Sequence, residues 1–359
     1  QLEVQWNADV MKGMIRRILA MRSKDQLKLL NSPKSRHGDI KLPQRHGTAL
    51  DEVQEVIKLP SESLPYQQDP SAIELSPAVR SQVDHFVFTI SQMYRSNPFH
   101  SFSHASHVVQ STVKLLSRIV RKEAIDYNDM CYKESNGDAL HKFTFGITSD
   151  PITQFACVLA ALIHDVDHTG LPNSQLVKEG VDIASKYKNK SVAEQNSFDI
   201  AWDLMMSPQY REMRECIYST KQELMRFRQL LVNAVLATDI MDKELNALRK
   251  ARWAKAFDKP QAKHTRLDHS GTLTSDSSKG SNSEEDANRM ATIVIEHLIQ
   301  ASDVSHTMQH WHVYQKWNEK LFHEMYVAYK AGKAENDPSL GWYKGELGFF
   351  DFYIIPLAK

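Results

Sequence analysis

The chain has 359 residues, with 44 Lys+Arg balanced by 44 Asp+Glu, and 42% of its residues are hydrophobic. The zero net charge argues against the broad basic face of a nucleic-acid or anionic-membrane binder, and no run approaches the ~18–20 continuous apolar residues of a membrane span. Cys131, Cys157 and Cys216 are odd in number and widely spaced, so they outline neither a disulfide framework nor a Cys-x-x-Cys metal knuckle, and a reducing compartment is expected.

From the N-terminus, Gln1 to Ile15 is mixed polar and lacks the apolar core of a signal peptide. Residues 31–72 are polar with scattered Pro, as in a wrapping or partner-contacting segment. The division expected is a helical or extended segment, 1–72, packing on one domain, 73–359. Thirteen Gly and thirteen Pro are too few for a turn every ten residues, so the fold expected is all-α and multi-helix. Helical spacing runs through 103–122. Ile152, Phe155, Ala156, Leu159, Ala160 and Ile163 follow i, i+3, i+4, i+7, with Asp150 and Pro151 as N-cap and first helical residue. Residues 221–250 behave similarly. Residues 270–287 are Ser/Gly-rich and read as a mobile surface loop. A helix over 288–303 carries Met290, Ile293, Val294, Leu298 and Ala301. Another over 309–331 carries Trp311, Tyr314, Leu321, Met325 and Ala328.

Three patterns carry chemistry. His100 and His104 stand at i, i+4, on one helix face if the helix already includes residue 100, with His107 nearby. His164-Asp165-Val166-Asp167-His168 closes the Asp150-capped helix. Asp303 ends the apolar helix before it. A lone His-x3-His pair is usually coincidence, and a lone Asp at a helix end is usually solvated or capping. Four ionisable groups in five residues after an apolar helix are different, because they would make an expensive core without a metal. Imidazoles with carboxylates suit Zn²⁺ or a similar ion, and added carboxylates with water suit Mg²⁺ or Mn²⁺. Two His and two Asp, one carboxylate bridging, would hold a metal pair ~3.5–4 Å apart.

In this order the motifs resemble the class I cyclic nucleotide phosphodiesterase catalytic domain, within the wider HD-hydrolase group. Asn97-Pro-Phe-His-Ser-Phe-Ser-His-Ala105 is similar to the family's N-P-Y-H-N-x-x-H-A. His164 to Asn173 is similar to its H-D-x-D-H-x-G-x-x-N, Ser191 to Glu194 to S-V-L-E, and Leu236 to Asp239 to L-A-T-D. Asp303, Tyr314 and Trp317 keep the family spacing, and Gly348 to Leu357 is similar to its G-F-x-D ending. The match runs from about residue 75 to 359, and residues 1–70 carry no resemblance.

The resemblance implies metal ligands at His104, His164, Asp165 and Asp303, with Asp165 bridging to a second metal. His168, Glu194 and Thr238 would hold that metal's waters. His100 would be the general acid for the O3′ leaving group as a bridging hydroxide attacks the cyclic phosphate in line. Phe349 and Leu321 would clamp the purine, although Phe349 alone reads as a core aromatic. The cofactors implied are two divalent ions, Zn²⁺ in the tight site and Mg²⁺ or Mn²⁺ in the second. The partner implied is a 3′,5′-cyclic nucleotide, and the product a 5′-monophosphate. Neither nucleic acid nor a membrane span is expected. Regulatory domains lying outside this chain, a homodimer and a location on the cytoplasmic side, with membrane attachment through other parts, are all compatible with the family.

The purine-reading Gln of the family is Glu346 here. An ionised carboxylate only accepts hydrogen bonds. Guanine presents two donors on one edge, whereas adenine pairs a donor with an acceptor, so Glu346 tilts the expectation toward cGMP. The bland alternative is a Glu346 turned to solvent, since a buried unpaired carboxylate is costly. Ser101, His107, His306 and the tract Gln195-Asn196-Ser197 also depart from the family pattern. Two rival functions remain: another HD-group phosphohydrolase, against which the purine clamp argues, and a catalytically silent cyclic-nucleotide sensor, against which retention of His100 and every ligand argues.

Overall fold

The computed structural model describes residues 1–22, 47–63, 65–119, 136–257 and 279–359; the side chains of 136–139 and 279–283 are not among them. The fold is all-α, with no strand among the described residues. The helices are α1 (Leu2–Ala20), α2 (Pro77–Met93), α3 (Phe102–Ile119), α4 (Asn136–Phe143), α5 (Pro151–Ile163), α6 (Asn173–Lys178) and α7 (Asp182–Lys186). They continue with α8 (Val192–Met206), α9 (Arg211–Ile217), α10 (Lys221–Leu236), α11 (Lys243–Phe257), α12 (Lys279–Asp303), α13 (Trp311–Lys330) and α14 (Trp342–Phe349).

Helix α5 is the axis of the molecule. All of its residues are buried, and α1, α3, α8, α10 and α12 pack around it. Its near-continuous apolar sequence explains this, because a helix apolar on every side has no face to give to water. Its start is fixed by Asp150, whose carboxylate accepts from Ile152 N (3.3 Å) and Thr153 Oγ1 (2.6 Å) and pairs with Arg226 of α10. Its end delivers His164 and Asp165 to the molecular centre.

Residues 47–63, with one 3₁₀ turn at Leu50–Glu52, run as a strap across the body. Their amides are held by side chains: Leu50 N by Gln195, Gln54 N by Asn233, Ile57 N by Thr292 and Leu59 N by Asn288, at 2.8–3.0 Å. Arg252, fully buried, pairs with Glu296 and donates to the carbonyls of Gln54 and Glu55. Helix α1 packs on α2 and α5, and buried Asn7 donates to Ser106 of α3 (2.6 Å).

Several expected elements are corrected. The helix over 221–250 is two, α10 and α11. The break falls at residues 237–242, where Asp239 Oδ1 takes the amides of Met241 and Asp242. Of the expected loop 270–287, residues up to 278 lie outside the described part, and 279–287 already belong to α12. There Glu285 and Asp286 pair with Arg289 one turn on, which supports helix. On α13 the inward stripe is Trp317, Glu324 and Ala328, whereas Trp311 is 67% and Met325 46% exposed. Helix α3 starts at Phe102, so His100 lies on the bend before it.

Candidate active site

Two helix ends and one helix start converge. His104 comes from the first turn of α3, His164 and Asp165 follow α5, and Asp303 ends α12. His104 Nε2 lies 3.0 Å from Asp303 Oδ1 and 3.8 Å from Asp165 Oδ2. His164 Nε2 lies 3.1 Å from Asp165 Oδ2 and 3.4 Å from Asp303 Oδ1. One ligand atom from each of His104, His164 and Asp303 falls within 4.8 Å of the others.

The turn after α5 makes this convergence possible. Val166 N and His168 N close tight turns onto Ile163 O and Asp165 O, and Asp167 adopts φ +62°. Asp tolerates that left-handed conformation better than most residues. Its carboxylate is held by Arg95 Nε (2.7 Å) and Asn196 Nδ2 (3.1 Å), and Ser197 Oγ donates to Val166 O (2.7 Å). Asn196 and Ser197, in the tract that departs from the family pattern, therefore brace this turn.

The donor set fits a divalent cation. His164 Nδ1 faces the carbonyl of Ala161 at 3.0 Å and donates to it, so Nε2 is the nitrogen that can bind a cation or a second proton. Nε2 is buried and close to two carboxylates, yet it is in line for a hydrogen bond with neither. Burial opposes a charge on His164, but Asp165 and Asp303 outweigh it and raise its pKa well above the ordinary imidazole range. Burial likewise works against the charge of Asp165 and Asp303, and the neighbouring imidazoles hold both carboxyls well below their usual range. The cluster demands positive charge at its centre, which a divalent ion supplies better than protons do.

His100 stands beside the cluster, its ring 6.3 Å from that of His104 and stacked on His168 at 3.9 Å. Its Nδ1 faces Glu324 Oε1, while Glu324 Oε2 accepts from Phe99 N (2.8 Å) and His100 N (3.0 Å). Burial disfavours the His100 imidazolium, but Asp165 and Glu324 prevail and raise its pKa. His168 is the reverse: burial and the adjacent His100 push it down to about 3. Its Nδ1 accepts from Gly170 N (3.1 Å), so its Nε2 is the donor. Asn97 Nδ2 ties the two segments, donating to His100 O (3.1 Å) and His168 O (2.6 Å).

Glu194 is pushed up to about 8 by burial and by Asp239. Asn173 Nδ2 bridges the two carboxylates at 2.9 and 3.3 Å. Thr238 Oγ1 donates to Val235 O at 2.7 Å, leaving its lone pairs free. His107 engages Gln309, and buried His306 is pushed down to about 3 by burial and by His104.

Glu346 does not turn to solvent. Its Oε2 accepts from Tyr314 OH (2.6 Å) and Asn318 Nδ2 (2.5 Å), and Trp342 Nε1 donates to Asn318 Oδ1 (2.9 Å). The indole thereby fixes which end of the Asn318 amide faces the carboxylate. Leu321 and Phe349 are half-buried on different helices, and Phe349 gives one ring face to Tyr353 at 5.4 Å.

The sequence reading missed Glu324, Asn97 and Asn318. Glu324 had a usable signal: it lies seven residues after Trp317, on the same inward stripe, where a carboxylate needs a partner.

The family model described as 3'5'-cyclic nucleotide phosphodiesterase matches residues 99–359. A probable 3',5'-cyclic-AMP phosphodiesterase, pde-4, of Caenorhabditis elegans is 25% identical over 285 residues, covering 76% of this chain and 35% of the relative. The cGMP-specific 3',5'-cGMP phosphodiesterase 3 of Dictyostelium discoideum is 24% identical, covering 77% of this chain and 50% of the relative. The chain thus spans about a third to a half of the length of these relatives. The phosphodiesterase domain of the RhoPDE fusion protein from Salpingoeca rosetta superposes with a TM-score of 0.53 at 19% identity, covering 77% of this chain and 74% of that one.

Proposed function

The chain belongs to the 3'5'-cyclic nucleotide phosphodiesterase family, and from that premise we propose that it hydrolyses 3′,5′-cyclic nucleotides to 5′-monophosphates at the His100–His104–His164–Asp165–Asp303 cluster. The observation that carries this is the convergence of His104, His164 and Asp303 on one point, with a carboxylate-backed imidazole, His100, beside it.

His104, His164, Asp165 and Asp303 would hold the tight metal, with Asp165 shared toward a second. Zn²⁺ suits the imidazole-rich set, and Mg²⁺ or Mn²⁺ the oxygen-rich neighbour. Divalent ions bound there supply Lewis acidity to the phosphoryl oxygens and lower the pKa of water. The chain's own residues do the rest. Glu324 holds His100 by Nδ1, so Nε2 is free to carry a proton to the substrate. Water attacks phosphorus in line with the bond to O3′, keeping one proton on the new phosphate oxygen and releasing the other to solvent. As that bond breaks, the His100 proton goes to O3′. His168, Glu194 and Thr238 would hold water for a second ion bound there. Leu321 and Phe349 bracket the base.

Base preference rests on Glu346. Its Oε2 is spent on Tyr314 and Asn318, which leaves Oε1 as an acceptor for a donor edge. Guanine N1–H and N2–H₂ supply one, and adenine N1 does not. This favours cGMP.

The test is turnover of cGMP and cAMP side by side with Mn²⁺ or Mg²⁺, and with chelator as control. Chelator-sensitive release of 5′-monophosphate supports the reaction. Tight binding of either nucleotide without turnover in metal-loaded protein overturns it in favour of a sensor.

A further inference from the structure

A cleft of about 530 Å³ opens on the far side of the residues that hold His100. Its floor is Asn97, Gly170 and Glu324. Its walls come from α6, α7 and α13. None of the candidate metal ligands lines it. Its size falls within the roughly 300–1,000 Å³ usual for small-molecule sites.

The walls are apolar. Leu176 and Ala328 are buried, and Val327 presents a side chain that is 49% exposed. A half-exposed valine over an apolar hollow is surface that a ligand's hydrocarbon would remove from water. The rim carries two cations, Lys333 and Arg95, and one carboxylate, Glu179. Lys333 is exposed and has no ion pair among the described residues. Arg95 spends its Nε on Asp167 and keeps its Nη groups. Against them stands Glu179, itself engaged by Gln175. The floor offers little to a cation, because Glu324 already takes two amides and His100 Nδ1.

We propose that this cleft binds a small amphipathic anion, a medium-chain carboxylate or its like, with the chain against Leu176, Val327 and Ala328 and the head group at Lys333 and Arg95. Such a ligand rests on Asn97 and Glu324. Asn97 holds the carbonyls of His100 and His168, and Glu324 holds the His100 ring and amide, so occupancy and the placing of His100 are coupled. Gly170 shows how close the packing is there: a Cβ at this position, already at φ +79°, would lie 3.4 Å from both Asn97 Oδ1 and Glu324 Cγ.

The test uses anilinonaphthalene sulfonate as a fluorescent probe on the full chain, so it does not depend on turnover. Saturable one-to-one binding is expected, displaced by decanoate but not by decanol. Val327→Trp, which fills the mouth, is expected to weaken binding about tenfold or more, and Lys333→Glu about fivefold. Both positions are exposed, and unchanged far-UV circular dichroism confirms folding. In amide NMR spectra decanoate is expected to move the Gly170 amide and the Asn97 side-chain resonances. Wild-type affinity in both variants overturns the site, and equal displacement by decanol overturns the anionic head group.

Discussion

Glu324 grips His100 three ways, by its backbone amide, by the amide before it and by the ring Nδ1. The two residues are 224 positions apart in sequence, so the geometry of the proposed acid is set by long-range packing of α13. Burial and hydrogen bonding lock the carboxylate, and the carboxylate locks the imidazole.

The first prediction concerns this pair. His100→Ala is expected to lower kcat by about 10²–10⁴, the usual worth of general acid help. Glu324→Gln keeps an acceptor for the two amides but removes the charge. It is expected to lower kcat by roughly ten- to a hundredfold with KM nearly unchanged. Glu324 helps raise the His100 pKa, and a general acid is lost as pH rises through its pKa. The alkaline limb of the kcat profile should therefore move to lower pH in the Gln variant. A limb that stays in place argues against His100 as the acid.

Metal content is the second. His164→Ala and Asp303→Asn each remove a ligand from a closed set. Affinity for Zn²⁺ should drop by at least the ~10–100-fold seen when mere outer-sphere partners are removed. Elemental analysis after dialysis reads this directly. Full retention of metal in both variants would place the ion elsewhere.

Third, Glu346→Gln should shift the cGMP/cAMP ratio of kcat/KM toward cAMP by roughly tenfold or more, the scale of a hydrogen bond to a charged group. An unchanged ratio rules out the base-reading role.

Fourth, Asp150 caps α5 and pairs with Arg226 while both are largely buried. Asp150→Ala removes the cap and strands a guanidinium. A loss of about 2–4 kcal/mol in unfolding free energy is expected. Denaturant titration measures it, and a loss under 1 kcal/mol would mean that water satisfies Arg226.

Fifth, Glu194 holds its proton up to about pH 8 through burial and Asp239. A carboxyl raised above its unfolded value contributes stability that is present below the unfolded pKa, near 4.5, and lost as pH rises through the folded one. In chelator, the wild-type melting temperature should fall between pH 5 and 8. Glu194→Gln should flatten that fall. Parallel curves for the two proteins would show that the proton resides elsewhere.

Much of this was legible in sequence because it is local. The apolar run after Asp150-Pro151 marks a buried helix, and a dense ionisable cluster directly after it has no inexpensive structural explanation. What stayed hidden was long-range. Nothing near Glu324 in sequence shows that it meets His100, and the partners of Glu346 lie 28 and 32 residues away. The stripe on α13 was misplaced by ranking Trp311 and Met325 as core on hydrophobicity alone. Both face solvent, and the inward position went to a carboxylate. The break after α10 was missed because a side chain shapes the turn, with Asp239 Oδ1 taking the amides of Met241 and Asp242.

Lastly, the portion of the chain recognised by the family begins at residue 99, yet α1, α2 and the strap 47–63 supply core on α5, α10 and α12. Ile15, Ile57 and Ile90 are wholly enclosed, and the strap closes off amide-binding side chains at Asn233, Asn288 and Thr292. A version trimmed to the recognisable portion would open a hydrophobic flank and strand those side chains. Trimming to residues 99–359 is therefore expected to give an aggregating product, and expression boundaries follow the core rather than the family match.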